Sequence, residues 1–138
     1  MAISSSIMRA MILAAGEGTR LRPLTLKIPK VLLPVGEAPL IEHTLSWINN
    51  YGISEVAINL YHLGEKIKDF LGDGSRLEMS ITYSPEENLL ETAGGVKRME
   101  PFFTDTFVVV YGDVLTSFDL DDMVSFHRTK NLWLPWLY

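Results

Sequence analysis

Residues 13–23 read LAAGEGTRLRP, an apolar run that breaks into two glycines, a threonine and two arginines. Gly16 and Gly18 allow the backbone to turn with its N–H groups outward and let a phosphate chain approach closely. Thr19 adds a hydroxyl donor, and Arg20 adds a planar fork of donors matched to phosphate oxygens. Pro23 then sets the direction of the outgoing chain. This combination suits a cradle for pyrophosphate. Two familiar glycine loops do not fit it. A dinucleotide loop needs a third glycine where Leu21 stands, so a bulky side chain would block close packing of the following helix. A P-loop needs Gly-Lys-Ser/Thr, which does not occur.

Charge distribution points the same way. The 138-residue chain carries a formal net charge of −5, yet Arg20, Arg22, Lys27 and Lys30 stand against Glu17 alone between residues 17 and 30. A basic island in an acidic chain suits a compact anion better than a long polyanion, and the overall charge argues against nucleic-acid binding. On its own the island also reads as a solvated basic loop, with Arg22 and Lys27 merely framing it. His43, His62 and His127 are scattered without ligand spacing, so no zinc site is expected. Asp119, Asp121 and Asp122 read as acidic complement to a helix N-terminus.

Positioning such a loop requires a sheet and helices around it. RAMILA (residues 9–14) and EVAINL (55–60) read as buried strands, MSITYS (79–84) as an alternating strand, and TFVVVYGD (106–113) contains the strongest strand signal. Between them, Leu40, Ile41, Thr44, Leu45 and Ile48 share one helical face with Gly52 as the stop. Further helices are predicted over residues 64–71, over 92–99, and after an Asp119 cap, with Leu120, Met123, Val124 and His127 on one side. Alternating strands and helices predict an α/β fold: a Rossmann-like three-layer α/β/α arrangement with a mainly parallel sheet. Ligands collect at the carboxyl ends of strands in such folds, where both AAGEGTRLR and YGDV fall.

At this point the loop can be matched as part of a set. LAAGEGTRLRPLT is followed by PKVLLPV at 29–35 and then by PLIEH, GDGS, YSPE, ETAGG and YGDV. In order and spacing this resembles the sugar-1-phosphate nucleotidyltransferases over Arg9 to about Lys130. That family includes glucose-1-phosphate thymidylyl- and uridylyltransferases, mannose-1-phosphate guanylyltransferases and N-acetylmuramate-1-phosphate uridylyltransferases. The resemblance implies transfer of a nucleotidyl group from a nucleoside triphosphate to a sugar 1-phosphate, with pyrophosphate as the other product. It implies that Gly16, Gly18 and Thr19 hold the triphosphate, that Arg20 stabilises departing pyrophosphate and that Lys30 reaches the reacting phosphates. It makes Asp113, after Gly112, a ligand for Mg²⁺, although by spacing alone Asp113 also reads as a turn cap. The base is expected against Leu13, Ala14 and Ala15 and the 84–92 loop, with Glu86, Glu91, Thr92 and Gly112 among the nucleotide contacts. Glu86 and Glu87 are equally readable as solvated loop residues, and the base and sugar stay open.

Length and composition allow one globular domain: 47% of residues are hydrophobic and 21% charged. Absence of a signal peptide, of a membrane-length apolar run and of cysteine leads to the expectation of a cytoplasmic protein without a membrane partner. Residues 1–8 read as a leader or tag-like segment and 9–130 as the nucleotide-binding part of the domain. Residues 131–138, NLWLPWLY, read as an atypical and out-of-frame tail. The expectation is therefore a truncated domain with low or no activity and an exposed strand edge that would favour homo-oligomers. The alternative function is a non-catalytic nucleotide or nucleotide-sugar sensor, which would not need Arg20, Lys30 and Asp113 together.

Overall fold

The computed structural model describes residues 8–131, so the leader, apart from Met8, and the tail, apart from Asn131, lie outside the described residues. The chain opens with β1 (Arg9–Leu13), then a long loop containing three short 3-10 turns, Thr19–Leu21, Leu24–Leu26 and Lys30–Leu32. A small hairpin, β2 (Pro34–Val35) and β3 (Ala38–Pro39), leads into α1 (Leu40–Asn49), β4 (Glu55–Leu60) and α2 (Gly64–Leu71). There follow β5 (Ser80–Pro85), α3 (Glu91–Arg98), β6 (Phe107–Tyr111) and α4 (Leu120–Lys130).

Four of the strands form one parallel sheet in the order β5-β4-β1-β6. The chain moves outward from β1 through β4 to β5, then returns to the other side of β1 as β6. The strand order thus reverses between β1 and β6, and a crevice lies at the carboxyl ends of these two strands. Register places Leu13 opposite Asn59 on one side and Tyr111 on the other.

Alternation along the strands divides the core between two faces. Ala10, Ile12, Val56, Ile58, Leu60 and Val108 pack with Ile41, Leu45 and Ile48 of α1, Ile67 and Leu71 of α2, and Leu120 of α4. Met11, Leu13 and Ala57 point the other way, toward Val96 of α3 and the residues Met99, Phe102 and Phe103 behind it. The result is the expected three-layer α/β/α arrangement. All five α1 positions expected to face inward are buried. Complete burial of Ile41, Leu45 and Ile48 stabilises the fold by about 1.5–3 kcal/mol each.

Two details differ from the sequence expectation. The hairpin β2–β3 falls where only proline and glycine punctuation was legible. Its two-residue turn, Gly36-Glu37, has only Gly36 in the left-handed region (φ 64°), the pattern of a type II′ turn. The apolar β6 is also less covered than its Val-rich sequence suggests: Val109 is 36% exposed and Tyr111 48%. Among the described residues β6 pairs only with β1, and the shorter layer formed by α3 stops at Phe107, which stacks on Phe103.

Candidate active site

The crevice at the strand ends encloses about 470 Å³. One wall is the loop after β1. Gly18 takes φ 62°, and a Cβ there would lie 2.8 Å from Thr25 Cγ2, so both conformation and packing require glycine. Thr25, fully buried, donates its hydroxyl to Gly18 O at 2.7 Å. His62 Nε2 lies 2.6 Å from Thr25 O, a hydrogen bond that places the proton on Nε2, and Lys66 Nζ donates to Lys27 O at 2.6 Å. The loop is thus braced from behind by β4–α2. Among the described residues, no backbone carbonyl takes up the N–H groups of residues 15–18. Amides left without a backbone acceptor in a glycine turn are available to an anion. Arg20 is exposed at the rim with no ion-pair partner among the described residues, whereas Arg22 lies 3.7 Å from Glu17.

Beside Gly18, where an added Cβ would lie 3.1 Å from Lys30 Cβ, the fold brings together residues far apart in sequence. Lys30 Nζ donates to Asp113 Oδ2 at 2.5 Å, both side chains being partly buried. Lys30 stands at the start of the third 3-10 turn, and Asp113 follows β6. Gly112 lies beneath them and does not line the crevice. Its N–H donates to Leu13 O at 3.0 Å, and an added Cβ would press to 3.2 Å against that same carbonyl oxygen. Glycine at 112 therefore allows the β1 and β6 strand ends to close on each other.

Leu13, Ala14, Ala15, Gly16, Gly18 and Thr19 line the crevice, as do Arg20, Lys30, Glu91, Thr92 and Asp113. Glu86 does not. It is only 7% exposed; its Oε1 accepts from Asn59 Nδ2 at 3.0 Å and its Oε2 from Leu90 N at 3.0 Å. The expected direct base contact from Glu86 is replaced by a bracing one, because both carboxylate oxygens are already engaged inside the protein. Glu87 is exposed in the same loop.

Among the lining residues that the sequence analysis did not assign to the site, two carry polar groups. Asn59, 2% exposed, also accepts from Ala14 N at 2.8 Å through Oδ1. Its signal was the single amide inside the otherwise apolar run VAINL that follows Glu55. Tyr111, whose hydroxyl lies 3.3 Å from Thr92 Oγ1, was hidden as the last residue of an apolar strand. Glu91 opens α3 at φ 58°, an uncommon backbone state for a residue with a side chain, and it does so on the crevice wall.

A parallel sheet of this order, carrying an outward-amide glycine loop and a Lys–Asp pair at its switch point, defines a nucleotide-binding α/β domain built for phosphate chemistry. Comparison with known proteins agrees. Residues 9–133 match the family model described as nucleotidyl transferase, and the chain belongs to that family. It is 42% identical over 135 residues to a UTP–glucose-1-phosphate uridylyltransferase of Synechocystis sp., covering 89% of this chain and 35% of that protein. It is 46% identical over 137 residues to an N-acetylmuramate alpha-1-phosphate uridylyltransferase of Neisseria meningitidis serogroup B, covering 92% and 58%. A crystal structure assigned as a glucose-1-phosphate thymidylyltransferase from Bacillus anthracis superposes with TM-score 0.79 at 32% identity, over 88% of this chain and 50% of that one. The chain thus spans between about a third and three fifths of the length of these relatives.

Proposed function

We propose that this chain supplies the nucleotide-binding half of a sugar-1-phosphate nucleotidyltransferase centre. In that reaction a phosphate oxygen of the sugar 1-phosphate attacks the α-phosphorus of a nucleoside triphosphate. The bond to the β-phosphate oxygen breaks, and pyrophosphate leaves. Two mutually repelling anions must be aligned and their charge stabilised; no protein nucleophile is needed. The observation that carries the reading is that Gly16, Gly18, Thr19 and Arg20 line one crevice together with the Lys30–Asp113 pair.

In this reading Gly16, Gly18 and Thr19 hold the triphosphate through backbone donors, and Arg20, exposed at the rim, takes the charge developing on pyrophosphate. Lys30, on an otherwise apolar stretch, holds a reacting phosphate. Leu13, Ala14 and Ala15 face Leu89, Glu91 and Thr92 across the space left for the base. For the divalent cation, Asp113 offers one hard carboxylate on the crevice lining, beside Lys30. That fits Mg²⁺, which binds through one or two carboxylates and completes its shell with substrate phosphates and water. When bound, the cation would neutralise charge on the phosphate chain. No helix of the described residues is long and apolar enough to cross a membrane, and a cytoplasmic location remains part of this proposal.

Calorimetric titration of the 138-residue chain with UTP, GTP and dTTP in Mg²⁺ buffer tests nucleotide binding. Pyrophosphate release from each nucleotide with a panel of sugar 1-phosphates, measured on a chain of its relatives' length, tests turnover. Saturable binding plus release with one pairing is expected. Binding without release under any pairing would favour a sensor instead.

A further inference from the structure

We infer that Asn59 is a positioning residue that couples the two walls of the crevice, so that the phosphate loop and the 86–91 turn are held at one spacing. Three hydrogen bonds run in series. Ala14 N–H donates to Asn59 Oδ1 (2.8 Å), Asn59 Nδ2 donates to Glu86 Oε1 (3.0 Å), and Leu90 N–H donates to Glu86 Oε2 (3.0 Å). The series begins at the first residue after β1 and ends at the residue before α3. Both side chains in it are buried, where an unmet polar atom is costly and a satisfied one fixes geometry. Asn59 bonds to both its neighbours in the series, and its amide supplies the acceptor and the donor that they require.

Gly95 makes room for this link. A Cβ at 95 would lie 2.9 Å from Asn59 Nδ2 and 3.1 Å from Glu86 Oε1, so α3 settles directly on the pair. Glu91, strained at φ 58° and lining the crevice, immediately follows Leu90, whose amide the series anchors. The backbone at Glu91 is thus held by a contact that originates under the opposite wall. Only the ligand readout below rests on the proposed nucleotide site.

Polarity reversal tests the link. Asn59→Asp keeps the acceptor for Ala14 N–H and sets two carboxylates face to face. Combining it with Glu86→Gln restores all three bonds, the glutamine amide now donating to the new carboxylate at position 59 while its oxygen accepts from Leu90 N–H. Amide exchange measured by NMR on the 138-residue chain should show Leu90 N–H exchanging about tenfold or more faster in Asn59→Asp, and returning to within about threefold of the original in the double variant. Affinity for UTP and GTP should follow the same order. A purely local structural role would leave Leu90, which Asn59 does not touch, unchanged. That outcome, or a double variant as impaired as the single one, overturns the inference. If Asn59→Asp does not fold, recovery of a folded chain with protected Leu90 in the double variant supports the link, and its failure to fold overturns it. A chain that binds no nucleotide refutes the nucleotide reading, and the exchange comparison then decides the coupling.

Discussion

In the proposed reaction Arg20, Lys30 and Asp113 would divide one electrostatic task. Arg20, exposed and without an ion-pair partner among the described residues, would respond to charge that appears as pyrophosphate departs, while Lys30 and Asp113, paired with each other here, would turn to phosphate and cation. Arg20→Ala should therefore lower turnover of the full-length enzyme by about 10²–10³ while changing nucleotide affinity less, the scale of losing one transition-state donor. Steady-state kinetics beside calorimetry would show it, and an unchanged kcat would reject the role. Asp113→Asn removes the anionic oxygen donor, so the Mg²⁺ concentration for half-maximal activity should rise. An unaltered metal titration in that variant would count against Asp113 as ligand. The residues proposed to face phosphate were picked out in the sequence because phosphate chemistry demands particular types, glycine, arginine and lysine, close together. Glu86 was misplaced because a glutamate in a loop reads the same whether its carboxylate faces ligand or is consumed by Asn59 and Leu90 N–H.

The loop after β1 is the element on which the site depends, and it has little regular structure of its own. Its shape comes from Gly18 seated on Thr25 and from His62 and Lys66 gripping its far side. Gly18→Ala forces a side chain into left-handed backbone and against Thr25, and should cost about 1–2 kcal/mol from conformation alone. A lowered thermal midpoint would register this; an unchanged one would show that the loop contributes little to global stability. Helices and strands were readable from periodicity, while the three 3-10 turns and the β2–β3 hairpin were not. Short turns are specified by one or two residues and by contacts such as His43 Nε2 to Val35 O at 2.7 Å, which join positions whose proximity no local pattern encodes.

For the molecule as a whole, stability at alkaline pH is tied to Tyr83. Burial first, and the nearby Asp73 carboxylate second, push its phenol up to about 12, and its hydroxyl donates to Gly72 O at 2.6 Å. Below about pH 10 the phenol is neutral whether the chain is folded or not, and its contribution is fully present. From there upward the unfolded chain ionises first, so stability should decline as pH rises toward 12. Denaturant melts between pH 9 and 12 should show that decline, shallower in Tyr83→Phe. At the other side of the sheet, β6 presents Val109 and Tyr111 beside one strand partner among the described residues, and sedimentation should show self-association weakened by Val109→Lys. The sequence by itself determined the layer order, the inward faces of the helices and the need for glycine in the loop after β1, because these follow from local periodicity and from the conformations only glycine tolerates. Tertiary structure alone decided that Lys30 meets Asp113 and that Asn59 spans from Ala14 to Glu86. Those contacts join residues 83, 45 and 27 positions apart, and only the crossover of β6 to the far side of β1 and the register of β1, β4 and β5 bring them within bonding distance.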